Sequence, residues 1–145
     1  VAETAGTSGS RIDLGQRMAF RSGQVVQELG WDEDCDDSIR IAIEAATGTE
    51  LVGEEHEDVA DAVLLWWRDG DGDLVDALVD ALTDLSDGGA VWLLTPKVGR
   101  HGYVEPSDVA DAAPTAGLTT TTTVPLGDRW SAIKLVAPKA DRARR

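Results

Sequence analysis

The sequence predicts an α/β protein: a single three-layer sandwich in which a mostly parallel sheet, closed by a C-terminal antiparallel hairpin, lies between helices. Three observations carry this. Strand-like apolar runs alternate with segments of helical period along most of the chain. Two of those runs, Ala62–Trp67 and Ala90–Thr95, are apolar at nearly every position, which marks strands buried on both faces. The last two runs are β-rich and separated only by a turn. With 145 residues, 42% of them apolar, the chain holds enough material for one buried core.

Taken in order, residues 1–13 read as a flexible N-terminal segment, 14–139 as one α/β domain and 140–145 as a basic tail. Leu14–Phe20 supplies one or two helical turns before Ser22 and Gly23 break the chain. Gln24–Leu29 is a strand, followed by Gly30 and an acidic loop. Asp36 or Asp37 caps a helix whose apolar positions Ile39, Ala42, Ile43 and Ala46 recur at three and four, and Gly48 ends it. Glu50–Val52 has room for only a small strand. After the acidic linker Glu54–Asp58 comes the first doubly apolar strand, with Trp66 and Trp67 expected on opposite faces. Asp73 caps the next helix, whose apolar side carries Leu74, Val75, Leu78, Val79, Leu82 and Leu85, with Gly88-Gly89 as its stop. Asp76, Asp80 and Asp84 line its other flank, away from the strand ends. Pro106 suits the first position of a further helix, which Pro114 and Gly117 limit. Leu118–Val124 and Trp130–Ala137 form the hairpin around Gly127-Asp128.

The charge is lopsided. Acidic residues number 27 against 13 basic ones, a formal charge of −14. Between Glu28 and Asp87 there are 20 acids and two bases, Arg40 and Arg68, so this stretch carries −18 while the remaining 85 residues carry +4. Such a surface disfavours direct contact with a nucleic-acid backbone and suits a basic protein partner. No apolar run reaches the ~20 residues of a membrane span. Without a charged-then-apolar leader and with one cysteine, Cys35, the expected setting is the cytoplasm, and no membrane contact is expected.

Several segments carry a family resemblance. Leu85-Ser-Asp-Gly-Gly-Ala-Val-Trp-Leu-Leu94, together with Ala116-Gly117-Leu118 ahead of a hairpin, resembles the later strands of class I S-adenosylmethionine-dependent methyltransferases. Gly23-Gln-Val-Val-Gln-Glu-Leu-Gly30, Val63-Leu-Leu-Trp-Trp-Arg-Asp69, Leu94-Thr-Pro-Lys97 and Gly102-Tyr-Val-Glu-Pro-Ser-Asp108 look like a domain-of-unknown-function family of small acidic proteins from high-GC Gram-positive bacteria. The resemblance implies a shortened methyltransferase-like Rossmann fold. Those enzymes place a glycine-rich loop after the first strand, where backbone approaches the cofactor, and an acid after the next strand for the ribose. Here the loop is Leu29-Gly-Trp-Asp-Glu-Asp-Cys35, with one glycine, a tryptophan and a row of carboxylates, and Glu50 is a poor match for the ribose acid. No cofactor is therefore predicted, S-adenosylmethionine included.

Ligands of open α/β sheets sit outside the carboxyl ends of the strands. That rule selects Trp31, Arg68, Lys97, Arg100, His101 and Tyr103 as ligand-binding candidates. The last four form a cationic island in an acidic protein, suited to an anionic group with an aromatic wall, or else to steadying the loop against surplus carboxylates. Asp32, Glu33, Asp34, Asp36, Asp37, Asp76, Asp80 and Asp84 are the candidates for a basic partner, with Trp31 as an anchor beside them. Asp69-Gly-Asp-Gly-Asp73 with Asp80 has the alternation of a calcium loop, but Leu74 stands where glycine is required and the last position lacks glutamate. No metal is predicted. No nucleophile elbow, P-loop or zinc-protease motif is present, so no catalytic residue is assigned. The reading is an interaction or regulatory protein on a degenerate methyltransferase-like fold. The alternative is a small-molecule binding protein or S-adenosylmethionine-dependent methyltransferase.

Overall fold

The computed structural model describes residues 18–56 and 58–137. The expected N-terminal segment 1–13 and basic tail 140–145 lie outside the described residues. The elements are β1 (Val26–Leu29), α1 (Asp37–Thr47), β2 (Ala60–Trp66), α2 (Leu74–Ala81), β3 (Leu85–Pro96), α3 (Pro106–Thr115), β4 (Thr119–Leu126) and β5 (Trp130–Val136). One five-stranded sheet runs in the order β1-β2-β3-β5-β4. β1, β2 and β3 are parallel neighbours, with Val26 beside Ala62 and Leu64 beside Trp92. β5 runs antiparallel between β3 and β4. The parallel core and closing hairpin expected from the sequence are therefore both present.

Helices cover both faces. α1 lays Ile39 and Ile43 on one face, where Met18 and Phe20 join Val26, Leu64, Trp66, Trp92, Leu94 and Trp130. Leu78 and Ala81 of α2 and Val109 and Ala113 of α3 pack on the other, against Val63, Leu65, Trp67, Val91 and Leu93. Trp66 and Trp67 point to opposite faces, as strand alternation demands. Asp36 caps α1 by accepting from Ser38 N, Gly48 closes it in the left-handed conformation, and Asp73 caps α2 through Asp76 N.

Four local expectations change. α2 stops at Ala81, and Gly88 and Gly89 lie inside β3, where the register against β2 shifts between Ala60 and Ala62. A Cβ on Gly89 would stand 2.6 Å from the Asp61 carbonyl oxygen, so the glycine permits a close strand approach and does not stop a helix. Leu85 belongs to that strand, and Val79 is 49% exposed on the outer side of α2. Only residues 18–20 of the expected N-terminal turns are described; they are not helical, and Met18 and Phe20 are buried. The Glu50–Val52 strand reduces to one parallel bridge between Val52 and Gln27. No helix among the described residues is long and apolar enough to cross a membrane.

Candidate functional site

At the carboxyl ends of the parallel strands, one side chain organises everything around it. Arg68, just past β2, donates from Nε and Nη2 to the two carboxylate oxygens of Asp34 at 3.0 and 2.6 Å. Its Nη1 reaches the Gly30 carbonyl at 2.9 Å and Asp71 Oδ2 at 3.3 Å, and its Nη2 also reaches Cys35 Sγ at 3.2 Å. The guanidinium lies 5.5 Å from the ring centre of buried Trp130, which meets Trp66 edge-on at 4.8 Å. Arg68 thus ties the loop after β1 to the end of β2. A bidentate carboxylate raises its basicity, and the same bond holds the Asp34 carboxyl below its usual range. Burial dominates at Cys35 and pushes the thiol up to about 11, so it is protonated at neutral pH.

Gly30 is required here by geometry. Its φ is +78°, and a Cβ on it would stand 2.3 Å from the Trp66 carbonyl oxygen. The glycine that resembles part of a cofactor loop lets β1 and β2 close upon each other at their ends.

The cationic candidates do not converge. Lys97 Nζ donates to the Gly127 carbonyl at 2.8 Å, and Arg100 Nη1 donates to the Arg129 carbonyl at 3.1 Å while stacking 5.7 Å from Trp130. Both steady the loop, as one sequence reading had it, and among the described residues they do so through carbonyls of the β4–β5 turn and not through carboxylates. His101 is exposed at the loop tip. Tyr103 and Lys97 line an apolar cavity of about 380 Å³ with Thr95, Val98, Val104 and Ile133. Trp31 lies apart from it, half exposed, with the Arg40 guanidinium 5.7 Å from its ring.

The acidic candidates fall into two groups. Asp32, Glu33, Asp34 and Asp37 are exposed on the loop after β1 and at the start of α1. Asp80 on α2 and Asp84 in the turn after it line a cleft of about 420 Å³ whose other walls include Gln27, Gly30 and Glu54. This corrects their expected place along a helix flank away from the strand ends; only Asp76 stands clear of the cleft.

The calcium-like loop serves local structure. Asp71 accepts from the Arg68 backbone N–H at 3.0 Å, Asp73 caps α2, and Asp80 belongs to the cleft. Among the described residues no group of three or more His, Cys, Asp or Glu is arranged to hold a metal. Glu50, the weak ribose-acid match, is exposed.

One cluster escaped the sequence reading. Glu28 is 8% exposed and accepts from Arg40 Nε at 2.8 Å, Arg40 Nη2 at 3.0 Å and Trp66 Nε1 at 2.9 Å. Burial works against the charge of Arg40, but bonds to Glu28 and Asp37 outweigh it and raise its basicity. Parity was the available signal: Glu28 shares the face of Val26, so a carboxylate was bound to point into the core and to need a partner.

Comparison with known proteins fits this geometry. A model of the family described as "Protein of unknown function (DUF3052)" matches residues 15–139. Uncharacterized proteins of Mycobacterium tuberculosis and Mycobacterium bovis are each 53% identical over 130 residues, covering 90% of this chain and 82% of theirs. Among solved structures, the pyocyanin biosynthetic protein PhzM gives a TM-score of 0.63 at 16% identity, and the mitomycin 7-O-methyltransferase MmcR gives 0.60 at 15%. These alignments cover 89% and 90% of this chain but only 54% and 55% of the other, so the chain spans about half their length. The precorrin-6y C5,15-methyltransferase of Geobacter metallireducens gives 0.61 at 9% identity, covering 88% of this chain and 87% of its own. Identities this low establish a methyltransferase-like fold and nothing about activity.

Proposed function

We infer the function from one premise: the chain belongs to the DUF3052 family and carries a methyltransferase-like sheet. Our reading is a non-catalytic interaction or regulatory protein of the cytoplasm that binds a basic protein partner through its acidic half. One observation supports it above the rest. Arg68, Asp34 and the Gly30 carbonyl fill the crevice between the ends of β1 and β2, where an open sheet would seat a ligand. Beside that plug, half-exposed Trp31 stands among solvated carboxylates, a grouping suited to anchoring a cationic surface.

The test is association kinetics with a basic partner recovered by affinity from native cytoplasm. Asp32→Asn, Glu33→Gln and Asp76→Asn together leave both cavities untouched, unlike substitutions at Asp80 or Asp84. The on-rate should fall with added salt and with this triple variant, because the steering field is screened or removed. An on-rate indifferent to both would reduce the acidic face to a solubility feature. Calorimetry with millimolar S-adenosylmethionine addresses the plug directly; low-micromolar affinity would overturn it.

A second reading rests on the apolar cavity at Tyr103 and Lys97. It is within the size range of small-molecule sites and lies near the carboxyl end of β3. A ligand there would lose affinity on Tyr103→Ala and ignore the acidic triple variant.

A further inference from the structure

The two edges of the sheet are chemically unlike. β1 lies in the acidic half, beside the loop carboxylates and the cleft formed with α2. β4, at the opposite edge, carries no charged residue, and its first five residues, Thr119 to Thr123, are all threonine and all exposed. Edge strands are usually guarded against pairing by lysine, inward charge, proline or a bulge. β4 has a register shift between Thr120 and Thr122 and a proline at 125. The stretch from Thr122 to Val124, between these two, has no guard among the described residues. Threonine favours extended backbone and pairs across strands through its hydroxyl and methyl groups.

Charge selects the occupant. A second copy of a −14 chain is repelled from the acidic side of the first. With α3 and the loop before it, which lie beside β4, this end holds Lys97, Arg100, Arg129 and Lys134 against Glu105, Asp108, Asp111 and Asp128, so it is close to neutral. β4 stands four strand spacings from β1, about 19 Å, well beyond the ~8 Å screening length at physiological salt. Two copies therefore repel least when they meet edge to edge here. Antiparallel pairing about a two-fold axis also makes the contact self-complementary.

We propose that two copies of this chain associate through β4, antiparallel, extending the sheet across both molecules and leaving each acidic face outward. The proposal does not depend on a basic partner. Sedimentation equilibrium over about three decades of protein concentration should show reversible dimerisation. Thr122→Glu, which faces Lys134 favourably within its own molecule, should weaken it at least ~10-fold by placing two like charges across the axis, whereas Ser107→Glu, exposed on α3, should leave it unchanged. Hydrogen exchange on the unaltered chain gives a check that needs no variant: protection of β4 amides should rise with concentration. A monomer at every concentration, a dimer indifferent to Thr122→Glu, or β4 exchange that ignores concentration would each overturn it.

Discussion

Trp66 and Trp130 are both buried and touch each other, yet their indole N–H groups differ in circumstance. That of Trp66 is bonded to Glu28, whereas that of Trp130 is buried with no partner among the described residues. Changing either to Phe removes the same volume; the Trp66 variant also loses a hydrogen bond, and the Trp130 variant part of its stacking with Arg68 and Arg100. Trp66→Phe should cost ~1–3 kcal/mol more than Trp130→Phe in denaturant unfolding, since it strips a donor from a buried carboxylate. Equal costs would show that Arg40 alone satisfies Glu28. Asp34 offers a pH test. Its carboxyl is lowered by Arg68, so its contribution is full above the unfolded value of 3.8 and fades as pH falls below it toward the folded value. The stability gap between the unaltered chain and Asp34→Asn should stay constant above about pH 5 and shrink below pH ~4. A gap that closes between pH 6 and 7 would point to another group.

Strands and loops show how the same residue type serves different ends. Gly30 and Gly48 both adopt left-handed backbone, at φ +78° and +76°. A side chain at Gly48 would meet nothing within 4 Å, whereas one at Gly30 would meet the Trp66 carbonyl oxygen. Gly48→Ala should therefore cost only the conformational penalty of ~1–2 kcal/mol. Gly30→Ala should cost at least ~2 kcal/mol beyond that, because β1 and β2 must separate. Thermal or urea unfolding of the pair measures the difference, and near-equal losses would mean that the β1 loop relaxes freely. α2 makes a related point. Its exposed Val79 and acidic flank give it little intrinsic support, so Leu78 and Ala81 against the sheet hold it in place.

Across the whole molecule, charge and hydrophobic pattern pull in different directions. A net −14 favours expansion, so melting temperature should rise as sodium chloride increases from ~10 to ~100 mM, over which the screening length falls from ~30 to ~10 Å. A falling melting temperature would mean that pairs such as Arg68–Asp34 and Arg40–Glu28 outweigh the repulsion. By itself, the sequence determined the class of fold, the three parallel strands, the final hairpin, two helix caps and the placing of Trp66 and Trp67 on opposite faces. Each follows from periodicity or from a local hydrogen bond, which neighbouring residues decide among themselves. Only the tertiary structure decided that Arg68 ties the loop after β1 to the end of β2 through Asp34, that Lys97 and Arg100 engage turn carbonyls, and that Asp80 and Asp84 face a cleft with Gly30. The reason is physical: a long charged side chain takes the best partner within reach, and residues 34 and 68 come within reach only after parallel strands have brought their carboxyl ends together.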